Sequence, residues 1–207
     1  MCVLSYIGWT SDGLHMISGS DDKTVKRWDL GTQEVVWQSS ASHTTNTSSG
    51  INPSTTTNSN GTHTDYIRCL DTNPKANDLF VTGSYDHTVK LWDSRQEKCV
   101  YTFNHHLPVQ HCAITASGTM MISASGSDMY VWDLLKLGGQ GGNHTNNSNS
   151  NSNREVDSDS DNNDGKNGAG AQECLLHKFS SHQKHISSFC LDQLNSNRIL
   201  SCGLDGH

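Results

Sequence analysis

The sequence predicts an all-β fold built from one repeated unit of four short strands. A Trp-Asp pair ends three similar segments, at Trp28, Trp92 and Trp132. When the polar tract at residues 39–62 is set aside, the spacing from Trp28 to Trp92 equals that from Trp92 to Trp132, which gives a period of about 40 residues. Between the pairs, short apolar segments alternate with polar turns. This pattern is typical of strands in a meander and not of helices.

Two polar tracts interrupt the repeat. Three quarters of residues 39–62 are Ser, Thr or Asn, and more than two thirds of residues 143–167 are Asn, Ser or Asp. Such segments bury too little apolar surface to offset the entropy that a backbone loses when it becomes ordered. We therefore expect two disordered polar insertions, at residues 39–62 and at residues 138–173, of which the second is acidic.

The rest of the chain divides into units of the repeat. Residues 1–38 form a partial first unit, and residues 63–103 form a complete second unit. The third unit consists of residues 104–137 and 174–179, so the acidic insertion lies between its third and fourth strands. Residues 180–207 begin a fourth unit that the chain end truncates. Because connections in a meander alternate between its two faces, we expect the two insertions to emerge on opposite faces.

Composition argues against several classes of function. The 207 residues include 14 Lys or Arg and 21 Asp or Glu, for a formal net charge of −7, so a dominant electrostatic grip on nucleic acid is not expected. No apolar run reaches the roughly 18 residues that a membrane span needs. The seven cysteines form no Cys-x-x-Cys motif, which favours buried thiols in a reducing compartment. No phosphate-binding glycine loop or nucleophile elbow occurs, so we expect no catalysis, cofactor, metal or small-molecule substrate.

The repeat period and the Trp-Asp signature resemble those of WD40 repeats, which form β-propellers. The resemblance covers the chain outside the two insertions, and it implies a propeller fragment with about four of a usual seven blades. It also implies that a His, a Ser or Thr, an Asp and a Trp form a hydrogen-bonded chain in each blade. The residues at these positions are Ser18, Asp22 and Trp28 in the first unit, His63, Thr82, Asp86 and Trp92 in the second, His105, Ser123 and Trp132 in the third, and His182, Ser201 and Asp205 in the fourth.

The third unit departs from this pattern. Its turn is one residue shorter, and Gly126 stands where the other units have Asp. A set of His, Ser and Asp also occurs in hydrolase triads. Because the set recurs in successive units, we interpret it as structural.

Finer features are similar to one kind of WD40 protein. They are Asp65-Tyr-Ile-Arg-Cys69, the third unit that ends in Val131-Trp-Asp-Leu-Leu-Lys-Leu-Gly-Gly139, and Leu200-Ser-Cys-Gly-Leu-Asp205. They resemble WD40 subunits of the early, transcription-linked module of the small-subunit processome, the U3 ribonucleoprotein assembly on nascent pre-ribosomal RNA. The resemblance implies a non-catalytic scaffold in the nucleus and nucleolus that acts in 18S pre-rRNA processing and is linked to rDNA transcription. Its partners would be other protein subunits, with U3 RNA and pre-rRNA bound indirectly and no membrane involved.

A second interpretation remains open. The segment from Phe80 to Arg95, which ends in Trp-Asp-Ser-Arg, resembles a box found in substrate receptors of cullin-RING ubiquitin ligases. An Arg at this spacing is also common in WD40 strands. The chain therefore fits a general WD40 protein-interaction adaptor as well as a processome scaffold.

Two sets of surface residues are candidate sites. Turns between second and third strands recur at the same height in every blade, so Asp21, Tyr85 and Leu204, with Tyr66 near them, are expected to be exposed on one rim. Tyrosine is enriched at interface hot spots, so this rim is a candidate surface for partner binding; the alternative is that Tyr85 only packs over the next blade. In the acidic tract, Ser152 and Ser158 each have an acidic residue three positions later, which makes them candidate phosphorylation sites.

Overall fold

The computed structural model describes residues 4–39, 61–96, 99–140, 174–192 and 198–205. These residues contain fourteen strands in four antiparallel sheets. The first sheet consists of β1 (Leu4–Trp9), β2 (His15–Ser20), β3 (Val25–Asp29) and β4 (Glu34–Gln38), and the second of β5 (Ile67–Thr72), β6 (Leu79–Ser84), β7 (Thr88–Asp93) and β8 (Cys99–Asn104). The third consists of β9 (Val109–Ile114), β10 (Met120–Ser125), β11 (Asp128–Asp133) and β12 (Leu175–Phe179), and the fourth of β13 (Ile186–Leu191) and β14 (Ile199–Gly203).

Each sheet is a meander in which sequence neighbours pair. The first strands of the sheets, β1, β5, β9 and β13, contact one another in that order, so the sheets are successive blades around a common axis. The predicted all-β propeller fold is therefore confirmed. A 3₁₀ helix at Leu135–Gln140 follows β11. None of the helical segments in the described ranges has the length and apolar character needed to cross a membrane.

Adjacent blades pack through a small residue on the second strand of each blade. A Cβ atom placed on Gly19 would lie 2.7 Å from Ile67 Cγ2, and one placed on Gly83 would lie 2.7 Å from Val109 Cγ1. Ile67 and Val109 are fully buried at the start of the inner strand of the following blade. The glycine of the repeated Ser/Thr-Gly-Ser segment thus makes room for a branched side chain of the next blade.

The side chains of Trp37 and Arg27 connect the first blade to the second by a ring contact and a hydrogen bond. The Trp37 ring lies edge-on to Phe80 and Trp92, with ring centroids 5.5 and 5.7 Å apart. Arg27 Nη1 donates a hydrogen bond to Asp78 Oδ1 at 2.5 Å. These contacts cover the outer part of the second blade with side chains from the first.

The turn between the second and third strands differs between blades. In the second blade it has three residues and ends with His87 at a φ of 66°. In the third blade it has two residues and begins with Gly126 at a φ of 62°. A two-residue hairpin with positive φ at its first position favours glycine there. The shorter turn thus explains why the third blade has glycine in place of the aspartate.

The structure differs from the sequence analysis at the start of both insertions. Ser39, which we assigned to the first insertion, is buried, and both its N–H and its Oγ hydrogen-bond to the backbone of Val25 at 2.9 Å. The ladder between β3 and β4 therefore continues through Ser39. The 3₁₀ helix likewise extends into residues 138–140. The disorder predicted for the rest of both insertions lies outside the described residues.

The cysteines are less uniformly buried than we expected. Cys69, Cys112 and Cys174 are buried, whereas Cys190 and Cys202 are exposed on β13 and β14. All the cysteines within the described ranges are free thiols. The strand register places Cys190 and Cys202 on the same face of this sheet, and no described element covers that face.

Candidate functional site

The second blade contains a continuous chain of four polar side chains. Trp92 Nε1–H donates to Thr82 Oγ1 at 2.8 Å, and the Thr82 hydroxyl donates to His63 Nε2 at 2.7 Å. His63 Nδ1–H then donates to Asp86 Oδ2 at 2.7 Å. The carboxylate of Asp86 can only accept, so neutral His63 carries its proton on Nδ1 and its Nε2 accepts from Thr82, while the indole N–H of Trp92 can only donate. The structure thus brings together all four residues that the sequence analysis assigned to this blade.

Burial and pairing fix the charges in this chain. Burial lowers the pKa of His63, although its hydrogen bond with Asp86 opposes that shift. Burial opposes ionisation of Asp86, but the hydrogen bonds that it accepts from His63 and from the Thr88 hydroxyl hold the pKa of Asp86 well below its usual range. The Thr82 side chain is 0% exposed, and its hydroxyl already bonds two partners. The hydroxyl therefore has no access to a substrate.

The third blade contains a shorter version of the chain. Trp132 Nε1–H donates to Ser123 Oγ, and Ser123 Oγ–H donates to His105 Nε2, both at 2.8 Å. His105 Nδ1–H donates to the carbonyl oxygen of Phe103 at 3.2 Å instead of to a carboxylate. Burial lowers the pKa of His105 to about 4. His105 is therefore neutral at neutral pH.

The fourth blade repeats the carboxylate pairing. The Ser201 hydroxyl donates to His182 Nε2, and His182 Nδ1–H donates to Asp205 Oδ2, both at 2.8 Å. The backbone N–H of Gln183 also donates to Asp205 Oδ2, at 3.0 Å. The three residues assigned to this blade therefore lie together.

In the first blade, the structure joins only two of the three assigned residues. Trp28 Nε1–H donates to Ser18 Oγ at 2.9 Å. Asp22 instead accepts hydrogen bonds from the backbone N–H and the hydroxyl of Thr24 in its own turn. No histidine bonds to Ser18 within the described part of this blade, so nothing there bridges Ser18 and Asp22.

The four candidate partner-surface residues lie on one face. Tyr85 N–H donates to the Tyr66 carbonyl, and Leu204 N–H makes the corresponding bond to His185, so these turns occupy equivalent positions in two blades. Tyr66 and Leu204 are 47% and 66% exposed. Tyr85 and Asp21 are only half-buried, not exposed as we expected. For Tyr85 the reason is that the Arg68 guanidinium covers its ring at 5.1 Å.

The repeated blades and their hydrogen-bonded polar residues match the pattern of a known protein family. A family model described as "WD domain, G-beta repeat" matches residues 1–29, 54–93 and 97–133, about half of the chain. The chain belongs to the WD40 family. The family predicted from the Trp-Asp repeat is therefore confirmed.

The WD40 chain is also similar to curated relatives. It is 32% identical over 202 residues to the U3 small nucleolar RNA-associated protein 15 homolog of Xenopus tropicalis and 33% identical over 204 residues to that of Xenopus laevis. Each match covers 98% of this chain and 28% of the relative. The U3 small nucleolar RNA-associated protein 15 of Saccharomyces cerevisiae is 31% identical over 127 residues, which is 60% of this chain and 21% of the yeast protein. The matches thus span between about a fifth and little more than a quarter of these relatives, and the resemblance to U3-associated WD40 proteins is confirmed.

Arg68 is a surface residue of this WD40 fold that the sequence analysis did not select as a site. It interrupts the apolar pattern of β5, whose burial is otherwise high from Ile67 to Leu70. A charged residue within an apolar inner strand was the available signal.

The remaining candidates from the sequence are the two phosphorylation sites and Arg95. Ser152 and Ser158 lie outside the described residues. Arg95, which carries the resemblance to ubiquitin-ligase receptors, donates from Nε and Nη2 to the Asp93 carboxylate at 2.9 and 2.6 Å. In the part of the WD40 chain that the structure describes, no three His, Cys, Asp or Glu side chains are grouped to hold a metal ion.

Proposed function

We propose that the protein containing this chain is a non-catalytic scaffold of the nucleolar small-subunit processome, which acts in 18S pre-rRNA processing and is linked to rDNA transcription. The observation that carries the proposal is the alignment of nearly the whole chain with relatives named for association with U3 small nucleolar RNA. A relative with the same name in yeast extends the similarity beyond vertebrates. The proposed location is accordingly the nucleus and nucleolus.

The geometry of the polar chains supports a role without catalysis. The arrangement of His, hydroxyl and Asp recurs in the second and fourth blades, and the hydroxyl of Thr82 is enclosed by Trp92 and His63. A catalytic triad needs a nucleophile that reaches its substrate. These side chains instead join strands of one blade, since a buried carboxylate such as Asp86 requires donors.

Charge supports protein subunits as the direct partners. The formal net charge of −7 does not favour phosphate binding over a broad surface, because such binding depends on clustered Lys and Arg. The rim at Tyr66 and Leu204 offers exposed apolar area instead. U3 RNA and pre-rRNA would then be bound through neighbouring subunits.

Purification of the intact, tagged protein from nuclear extract tests the proposal. We expect enrichment of U3 RNA and of other processome subunits, and retention of those subunits after ribonuclease treatment. We also expect depletion of the protein to cause unprocessed 18S precursors to accumulate. Failure to enrich U3 RNA would argue against the proposal.

The same purification distinguishes the ubiquitin-ligase interpretation. An Arg95→Gln variant loses the guanidinium that carries that resemblance but leaves the blade core unchanged, because the side chain is 69% exposed. A scaffold keeps its U3 RNA in this variant. Recovery of a cullin adaptor with the natural protein, and its loss with Arg95→Gln, would favour the adaptor.

A further inference from the structure

Arg68 is the additional residue of a β-bulge in the inner strand of the second blade. Ile67 pairs with Ser84, and Cys69 pairs with Gly83, so Arg68 has no residue opposite it in the ladder. A bulge redirects the side chain of its extra residue and often does so beside functional sites. Here it directs the guanidinium toward the rim, where it lies 5.1 Å from the centroid of the Tyr85 ring.

The Arg68 guanidinium has hydrogen-bond donors without acceptors. Arginine carries five N–H donors in a planar fork. The Arg68 side chain makes no hydrogen bond or ion pair within the described residues, and its Nε is buried without a partner. Arg95, in contrast, donates twice to the Asp93 carboxylate. Stacking on Tyr85 thus holds the Arg68 guanidinium in place, and the N–H donors of its terminal nitrogens, Nη1 and Nη2, remain available to a partner.

The same bulge occurs in the next two blades. Gln110 is the extra residue between Val109 and His111, and Ser187 is the extra residue between Ile186 and Ser188. Neither Gln110 nor Ser187 is buried. A guanidinium, an amide and a hydroxyl therefore occupy equivalent positions at one end of three adjacent inner strands.

We propose that this end of the inner strands binds the carboxylate of an Asp or Glu side chain from a partner protein, and that Arg68 is its bidentate ligand. Arginine matches the planar geometry of a carboxylate with two parallel N–H donors. Gln110 and Ser187, at the equivalent positions of the next two blades, offer polar groups to other parts of the same partner segment. The inference goes beyond membership of the processome and does not depend on it.

The surroundings of Arg68 favour a protein segment over an RNA phosphate. Tyr66, Leu107 and Leu204 are exposed on the same face, and tyrosine and arginine together are typical of protein interface cores. An RNA-binding face would instead carry a stripe of Lys and Arg. The formal charge of −7 does not favour such a stripe, and the exposed lysines in turns of this face, Lys23 and Lys184, belong to other blades than Arg68.

Zero-length carbodiimide crosslinking of an Arg68→Lys variant of the intact protein tests this proposal. The reagent joins an amine to a carboxylate only when the two are in contact, with loss of water that the carbodiimide takes up as a urea. In complexes purified from cells, we expect a crosslink from position 68 to an Asp or Glu of another protein. The matched control is Arg198→Lys, because Arg198 is exposed in the loop before β14 at the opposite end of the blade. We expect no crosslink from position 198 to the same carboxylate.

Affinity measurements with the crosslinked segment complete the test. A synthetic peptide with its natural Asp or Glu is expected to bind at least tenfold more weakly to an Arg68→Gln variant, and within twofold of normal to Arg198→Gln. The melting temperature is expected to change little, because the Arg68 side chain makes no hydrogen bond within the described residues and loses only its stacking on Tyr85. Absence of a crosslink to another protein, equal binding of an Asn or Gln peptide, or ultraviolet crosslinking of position 68 to RNA would each overturn the proposal. None of these results depends on recovery of U3 RNA.

Discussion

Histidines at equivalent positions of two blades have different electrostatic surroundings. His63 donates to the anionic Asp86, whereas His105 donates to the neutral carbonyl of Phe103. A carboxylate stabilises an imidazolium when the pH falls, and a carbonyl does so much less. Protonation of His105, which has no carboxylate partner, is therefore expected to destabilise the third blade as the pH falls.

The pKa of His105 leads to a prediction about pH and stability. Burial lowers this pKa to about 4 in the folded chain, whereas the pKa of a histidine in the unfolded chain is about 6.5. Between these values the unfolded state binds a proton that the folded state does not, so the free energy of unfolding falls as the pH drops from 6.5 to 4. The slope for this one group is at most about 1.4 kcal/mol per pH unit. Urea denaturation at several pH values measures it.

An Asn variant isolates this contribution. His105→Asn is expected to be less stable at pH 7, because Ser123 loses its acceptor, but to show a smaller pH dependence in that window. His106→Asn, at the exposed neighbouring position, keeps the full dependence. Equal slopes for natural protein and His105→Asn would contradict the assignment.

Spacing in the sequence was enough to group the buried polar residues, but not to find Arg68. His105, Ser123 and Trp132 lie in one blade, so their separation along the chain and the strand register fix their separation in space. A charged residue within an apolar strand was the sequence signal for Arg68, but the bulge that directs its side chain depends on where the ladder of β5 and β6 shifts, which no residue type marks. The contact of Trp37 with Trp92 joins two blades, so a comparison of single repeat units does not predict it.

The inner strand of each blade packs against the second strand of the blade before it. Gly19 and Gly83 lie against Ile67 and Val109, and in the third blade Ala124 belongs to the same buried cluster as Ile186. A small residue at this position brings neighbouring inner strands close together. The small residue that recurs once in each repeat is therefore needed for the packing between neighbouring blades.

Gly83→Ala tests this packing. A Cβ atom at Gly83 would overlap Cys69 Sγ and lie 2.7 Å from Val109 Cγ1, so the two inner strands must separate to admit it. Overpacking of this kind destabilises a core by about 1–3 kcal/mol, which urea denaturation measures. The matched control is Gly31→Ala in an exposed turn, where the new atom meets only the Asp29 side chain, and where a change within about 0.5 kcal/mol is expected. Equal effects of both substitutions would show that Gly83 is not a packing contact.

The positions where the two insertions leave the blades follow from the strand order. The first leaves after Ser39, beside Val25 at the start of β3, whereas the second leaves beyond Asp133 at the end of β11. Starts and ends of third strands lie at opposite ends of a blade. The described flanks thus match the expectation of opposite faces, while the course of the inserted residues lies outside the described part of the chain.

Replacement of residues 141–173 with a short Gly-Ser linker is expected to preserve the propeller. Strands β11 and β12 pair directly from Met129 and Phe179 to Trp132 and Leu175, so the third blade does not need the intervening residues for its ladder. Closing a loop becomes easier by about 0.6 kcal/mol for each halving of its length, so the free energy of unfolding should stay constant or rise by about 1 kcal/mol. Urea denaturation of the intact protein with and without the replacement measures this change. A marked fall in the free energy of unfolding would mean that the tract packs on the blades. Loss of protein partners at unchanged stability would instead assign the tract, which contains Ser152 and Ser158, to binding.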